Sequence, residues 1–210
     1  YKNGSSVTAG VFRTRALEYY QTHQSIQFSI NPPEGEFFRD PANQLHITLL
    51  QNEQWTTALN GLKPQYNNGA RLEYRYDAES RFEGGNEFLF FDTKNIQITT
   101  ANVSYVELNR LYETYLTPDF FRRGYPYSFI QDLNGDFRIR TFQGSENGAV
   151  EADYSWVHFS LSTPMLLKDQ EIYVYGKFNN YQLNEVNKMY FNPSLEIYEG
   201  VILLKQGIYN

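Results

Sequence analysis

The chain has no cysteine. Disulfides, Cys-ligated zinc, iron–sulfur clusters and thiol catalysis are therefore outside its reach. The compartment stays open, because a reducing cytosol and an oxidising periplasm both hold cysteine-free proteins. Positive charge is scarce too: 18 Lys and Arg stand against 24 Asp and Glu, a formal net charge of −6. Duplex DNA is gripped by clustered Lys and Arg that neutralise phosphates, so a nucleic-acid partner is excluded. Long apolar runs are missing. The longest, Gly200-Val201-Ile202-Leu203-Leu204, has five residues, against the ~20 that carry a helix across a bilayer, so the chain is not read as membrane-spanning. No basic-then-apolar leader is present, but a chain starting at Tyr1 reads as a processed or trimmed piece, so that absence is silent on export.

Aromatic residues are plentiful instead: 18 Tyr, 16 Phe and 2 Trp make up 17% of 210 residues, within a hydrophobic share of 41%. Such a chain can bury a core rather than stay disordered, and its length suits one large domain or two small ones. The dominant pattern is two-residue alternation. Ile26, Phe28 and Ile30 alternate with polar residues; Leu45, Ile47 and Leu49 share one face; Phe137 and Ile139 alternate with Arg138 and Arg140. Val157, Phe159 and Leu161 alternate with Trp156, His158 and Ser160, and Ile172 and Val174 with Tyr173 and Tyr175. Strand side chains point to opposite faces in turn, so each run suits a sheet with one buried face. Turn residues separate the runs, and Asn134-Gly135 is the best hairpin signal, because a type I′ turn needs positive φ at both central positions. Helical patterning competes only in 54–62 and 104–116.

The expected fold is all-β: two immunoglobulin-like β-sandwich units in tandem. The small polar stretch 143–152 marks the boundary, giving a domain over 1–147 and a second, incomplete one over 148–210. No cofactor is expected. Asp132-Leu133-Asn134-Gly135-Asp136 starts like a calcium loop, but the sixth and twelfth positions hold Phe137 and Gln143 where Gly and Glu are needed. His23, His46 and His158 form no metalloprotease motif, and 144–148 lacks the central Ser of a nucleophile elbow. No catalytic residue and no metal ligand is assigned; the reading is of a protein that is not an enzyme.

Two loops join aromatics to arginine, 36–41 and 119–127. Tyr, Phe and Arg are the residue types of interface anchors, since each buries much area per frozen rotamer. In the second loop Phe120, Phe121, Arg122, Arg123 and Tyr125 are the candidate partner-binding residues; in the first, the rings are expected to fold back over a sheet end.

The run Ile172-Tyr173-Val174-Tyr175-Gly176-Lys177-Phe178-Asn179-Asn180-Tyr181 resembles the strand and turn of early-set immunoglobulin-like domains, notably glycogen-binding modules. There an exposed Trp often follows the Asn; Tyr181 stands in that place and is the candidate glycan-stacking residue. A resemblance covering most of the chain rests on Gln51-Asn52 with Trp55, on Phe82-Glu83-Gly84-Gly85-Asn86-Glu87-Phe88 with Phe91-Asp92, and on Asp132 to Phe137. It continues through Ala152-Asp153-Tyr154 with Val157 to Leu161, Met189-Tyr190-Phe191-Asn192-Pro193, and Tyr198 to Asn210. These motifs resemble a Bacteroidetes family, formerly a domain of unknown function, associated with the plug subunit of the type IX secretion translocon. The resemblance implies a non-catalytic periplasmic protein that seals the periplasmic opening of a large outer-membrane β-barrel. It also implies a chain truncated at both ends relative to the family. The alternative reading is a glycan-binding β-sandwich module of an exported Bacteroidetes protein.

Overall fold

The computed structural model describes residues 4–85, 87–122, 133–144, 148–163 and 169–210. The expected all-β architecture is what the chain adopts. It divides into two compact units, 1–86 and 87–210. No helix among the described residues is long and apolar enough to cross a membrane.

In the first unit, β1 (Ser6–Arg13) pairs antiparallel along its whole length with β2 (His23–Asn31). A hairpin of β3 (Thr48–Gln51) and β4 (Gln54–Asn60) follows, turning at Asn52 and Glu53, both at positive φ. The other edge of β2 takes β6 (Leu72–Tyr74) and β7 (Arg81–Glu83), and β5 (Tyr66–Asn67) lies outside β6. The alternation of β2 sorts its residues: Phe28 and Ile30 enter a core with Leu62, Leu72 and Tyr74, and Ile26, Phe38, Leu45, Ile47, Leu49 and Tyr76 pack around it. Phe28 stacks on Tyr74 with ring centroids 4.2 Å apart. Each such side chain contributes roughly 1.5–3 kcal/mol on burial.

A carboxylate ties the end of this sheet together. Asp77 accepts hydrogen bonds from the Arg15 backbone N–H (3.0 Å), the Thr14 hydroxyl (2.8 Å), the Ser25 hydroxyl (3.1 Å) and the Arg81 guanidinium (3.0 Å). The Arg15 N–H and Thr14 hydroxyl lead in lowering its pKa, from 3.8 to about 2. Because the folded value is depressed, Asp77 stabilises the fold above its ordinary value, and that contribution fades as pH falls from 3.8 through 2. Asp77→Asn is expected to lower the urea midpoint at pH 7, and the gap to wild type should narrow as pH is taken down through that window. A gap constant from pH 7 to pH 2 would contradict this assignment.

The second unit is a β-sandwich. Its larger sheet runs β14 (Ile172–Tyr173), β15 (Lys188–Asn192), β16 (Ile197–Lys205), β13 (Tyr154–Ser162), β10 (Tyr112–Leu116), β9 (Val103–Leu108), with β11 (Asp119–Phe120) also on β13. The smaller sheet runs β12 (Phe137–Ile139), β17 (Gly207–Tyr209), β8 (Phe91–Asp92). Between them lie Val103, Leu116, Val157, Ile202 and Leu204 from the first sheet and Phe91 and Tyr209 from the second. The two hydroxyls buried on the inner face, Thr114 and Ser155, satisfy each other at 2.6 Å. Gly207 is required where it stands, because a Cβ there would lie 2.4 Å from the Arg138 carbonyl oxygen.

The boundary expected at residue 147 falls inside this unit. β13 pairs in parallel with β10, and β17 sits between β12 and β8, so strands from both sides of 147 share both sheets. The physical reason is cover: the strands after 147 bury one face only if strands from 87–144 supply the opposing layer. The polar stretch holds a single helical turn, Gly148–Glu151. Asn134 and Gly135 both have positive φ, and Asp136 N–H closes the turn onto Leu133 O at 3.1 Å. The expected partner of β12 in that hairpin, Phe129-Ile130, lies outside the described residues; the partner seen is β17.

Candidate functional site

The alternation that sends Val157 inward sends Trp156 and His158 outward, and the register carries this across the sheet. Tyr115 of β10 faces His158 of β13, which faces Val201 of β16, while Tyr105 of β9 stands beside Tyr115. The Tyr115 and His158 rings stack at 4.1 Å and 15°, and the Tyr105 and Tyr115 rings lie 5.6 Å apart. The next row is Glu107, Glu113, Trp156 and Leu203. To one side come Tyr154 and Lys205, whose ammonium lies 5.4 Å over the Tyr154 ring; to the other come Ser160, Glu199 and Tyr190. Phe120 pairs with Ser162 and prolongs the same face at the end of β13.

This outer face is open. Phe120 is 70% exposed and Trp156 38%, and Tyr105, Tyr154 and Tyr190 are about half exposed. A Trp or Tyr buries 150–250 Å² when covered, so the surface offers a large apolar area. Its polar members are held in place. His158 Nε2 lies 2.6 Å from Glu113 Oε2, and Asn192 Nδ2 donates to Glu199 Oε2 at 2.6 Å. Partial burial, then the Glu107 and Glu113 carboxylates and Tyr105, push the Tyr115 phenol above its ordinary pKa. An exposed aromatic surface of this kind can dock a partner. Among the described residues, no three His, Cys, Asp or Glu side chains are placed to hold a metal ion.

Of the residues singled out in the sequence, Phe120 lies on this face. Phe121 is half-buried and donates its N–H to Ser162 O at 3.0 Å. Arg122 is half-buried too. It counters the burial that raises the Asp119 carboxyl above its ordinary range. Arg123 and Tyr125 lie outside the described residues. Tyr181 belongs to a different group: its hydroxyl donates to Asn134 O at 3.2 Å, and its ring contacts Tyr175 and Phe88. It acts there as a strut for the 134–135 turn, where a Cβ on Gly135 would meet the Phe88 ring at 2.8 Å. In the other aromatic loop, Phe38 packs onto the first core as expected, while Phe37 stays exposed with Arg39 5.8 Å over its ring.

Tyr105, Tyr115, Trp156 and Tyr190 join the candidate set only through the structure. Alternation marked Trp156 and His158 as outward-facing, but nothing local in the sequence places Tyr115 beside them.

No family model matches the chain, and no curated protein does. The fold is shared with the crystal structure of a hypothetical protein from Parabacteroides merdae ATCC 43184, with a TM-score of 0.81 and 29% identity. The match covers 100% of this chain and 52% of that one. The chain thus spans about half the length of the protein it resembles.

Proposed function

We propose that this protein is a non-catalytic docking body that seats against the periplasmic opening of the type IX secretion outer-membrane barrel and closes it. The observation that carries the reading is the outer face of the larger sheet, where Tyr105, Tyr154, Trp156, Tyr190 and Phe120 stand exposed on a two-layer body, with half-buried Tyr115 stacked among them. Closing a wide pore needs stiffness and contact area rather than a reactive centre, and association must overcome the loss of rotational and translational freedom. Aromatic side chains meet that demand because they freeze few rotamers per unit of area. The acid excess suits a basic rim on the barrel. The motifs quoted for the plug family, and a structural neighbour from a Bacteroidetes organism, support the same reading.

The test is co-purification from the periplasm and outer membrane of the native organism. The full protein with Phe120, Phe121 and Arg122 all changed to Ala is expected to retain at least about tenfold less barrel than wild type, with an unchanged circular dichroism spectrum. Normal retention by that variant would remove the assignment.

A further inference from the structure

A second surface feature lies in the first unit, on the outer face of β1, β2 and β6. Thr8, Gly10 and Phe12 of β1, Gln27 and Ser29 of β2, and Arg71, Glu73 and Arg75 on and beside β6 are alternate residues of adjacent strands, so all project to the same side. They line a groove of about 280 Å³. Its wall is the Phe12 ring, half exposed and lying over Gly10. The absence of a side chain at residue 10 makes that pose possible, since a Cβ there would meet the ring at 2.9 Å. Thr8, Ser29 and Gln27, with hydroxyl and amide side chains, are also among its lining residues. Along its rim Glu73 pairs with Arg75 at 2.6 Å and with Arg71 at 3.5 Å. Arg75 also lies 5.4 Å over the Tyr66 ring, which fixes the guanidinium laterally.

We propose that this groove binds an acidic sugar, a pyranose ring carrying a carboxylate. The chemistry of the lining selects that class. An aromatic face presented beside hydroxyl and amide groups matches a ring whose C–H face is apolar and whose edge is lined with hydroxyls. Two guanidiniums against one carboxylate leave a surplus positive charge at the rim, in a chain whose formal net charge is −6. Arginine's planar fork is suited to a carboxylate. Glu73 keeps both guanidiniums aimed and offers an acceptor to sugar hydroxyls. A carboxylate without a sugar ring would lack the contact with Phe12, and a neutral sugar would lack the partner for the guanidiniums.

Isothermal titration of the full protein with digalacturonate, maltose and acetate tests this. Digalacturonate is expected to bind in the millimolar range or tighter, and maltose and acetate at least about tenfold more weakly. Arg71→Gln with Arg75→Gln should abolish the preference for digalacturonate over maltose. Phe12→Ala and Gly10→Ala should each weaken digalacturonate binding about tenfold or more. Gly10→Ala displaces the ring while leaving it in the chain, and Phe12 is a half-exposed edge-strand residue, so circular dichroism and melting should stay at wild-type values in both. No binding of digalacturonate at tens of millimolar, equal binding of maltose or acetate, or binding unaffected by these substitutions in folded protein would overturn the proposal.

Discussion

Tyr209→Ala is expected to cost about 3–5 kcal/mol, the upper range for a single core truncation. Tyr209 is 2% exposed. Its ring is stacked between Phe91, at 5.1 Å and 7°, and Phe137, at 5.5 Å and 6°, and Phe178 meets it edge-on at 5.9 Å. One side chain thus joins all three strands of the smaller sheet and fills the space beneath Val157 and Ile202. Truncation leaves a cavity that three rings border and cannot readily close. The hydroxyl matters separately: it donates to Lys205 O at 2.7 Å, and burial holds its pKa well above the ordinary tyrosine range. Tyr209→Phe keeps the stack and strands that carbonyl, at a cost of about 1–2 kcal/mol. Urea unfolding of both variants separates packing from hydrogen bonding. Equal losses would mean that the stack contributes nothing beyond the hydroxyl.

The second large effect concerns binding rather than folding. Trp156→Ser together with Phe120→Ser is expected to weaken barrel association by about 2 kcal/mol or more, ~30-fold. Both side chains project from the outer face and neither belongs to the cluster packed between the sheets. The melting temperature should therefore stay within a degree or two of wild type, on the scale of ordinary surface substitutions. Val157→Ala, one residue away but fully buried, is the converse case: stability falls and affinity per folded molecule holds. If the two classes of variant behave alike, the outer face is not the docking surface.

How much of this was legible in the sequence varies by residue. Alternation in 154–162 gave both the buried and the open face of β13, because period two is local. The run 104–116 spiralled as well as it alternated. It forms two strands because Val103 and Leu116 reach a core whose other walls, Val157 and Ile202, lie far along the chain. Leu45, Ile47 and Leu49 do share a core, as their spacing implied, but the strand starts only at Thr48. Pro41 opens a helical turn first, and Leu45 N–H bonds back to Pro41 O. The boundary at 147 misled for the same kind of reason. A polar, glycine-bearing stretch looks alike whether it links two units or loops within one; the pairings across it, β10 with β13 and β17 with β12 and β8, distinguish them. The candidate site was half visible: Phe120 was named for its chemistry, whereas its neighbours on the face come from strand register, which no local pattern encodes.

The central claim is that the outer face of the larger sheet meets the barrel. Site-specific photo-crosslinking in living cells addresses it most directly, with the reactive group placed at position 156 or 120, and at position 138 on the opposite side of the same sandwich as the control. The account predicts an adduct with the large outer-membrane barrel from 156 and from 120 and none from 138. Adducts from 138 alone, equal adducts from all three, or no barrel adduct from 156 and 120 would contradict it.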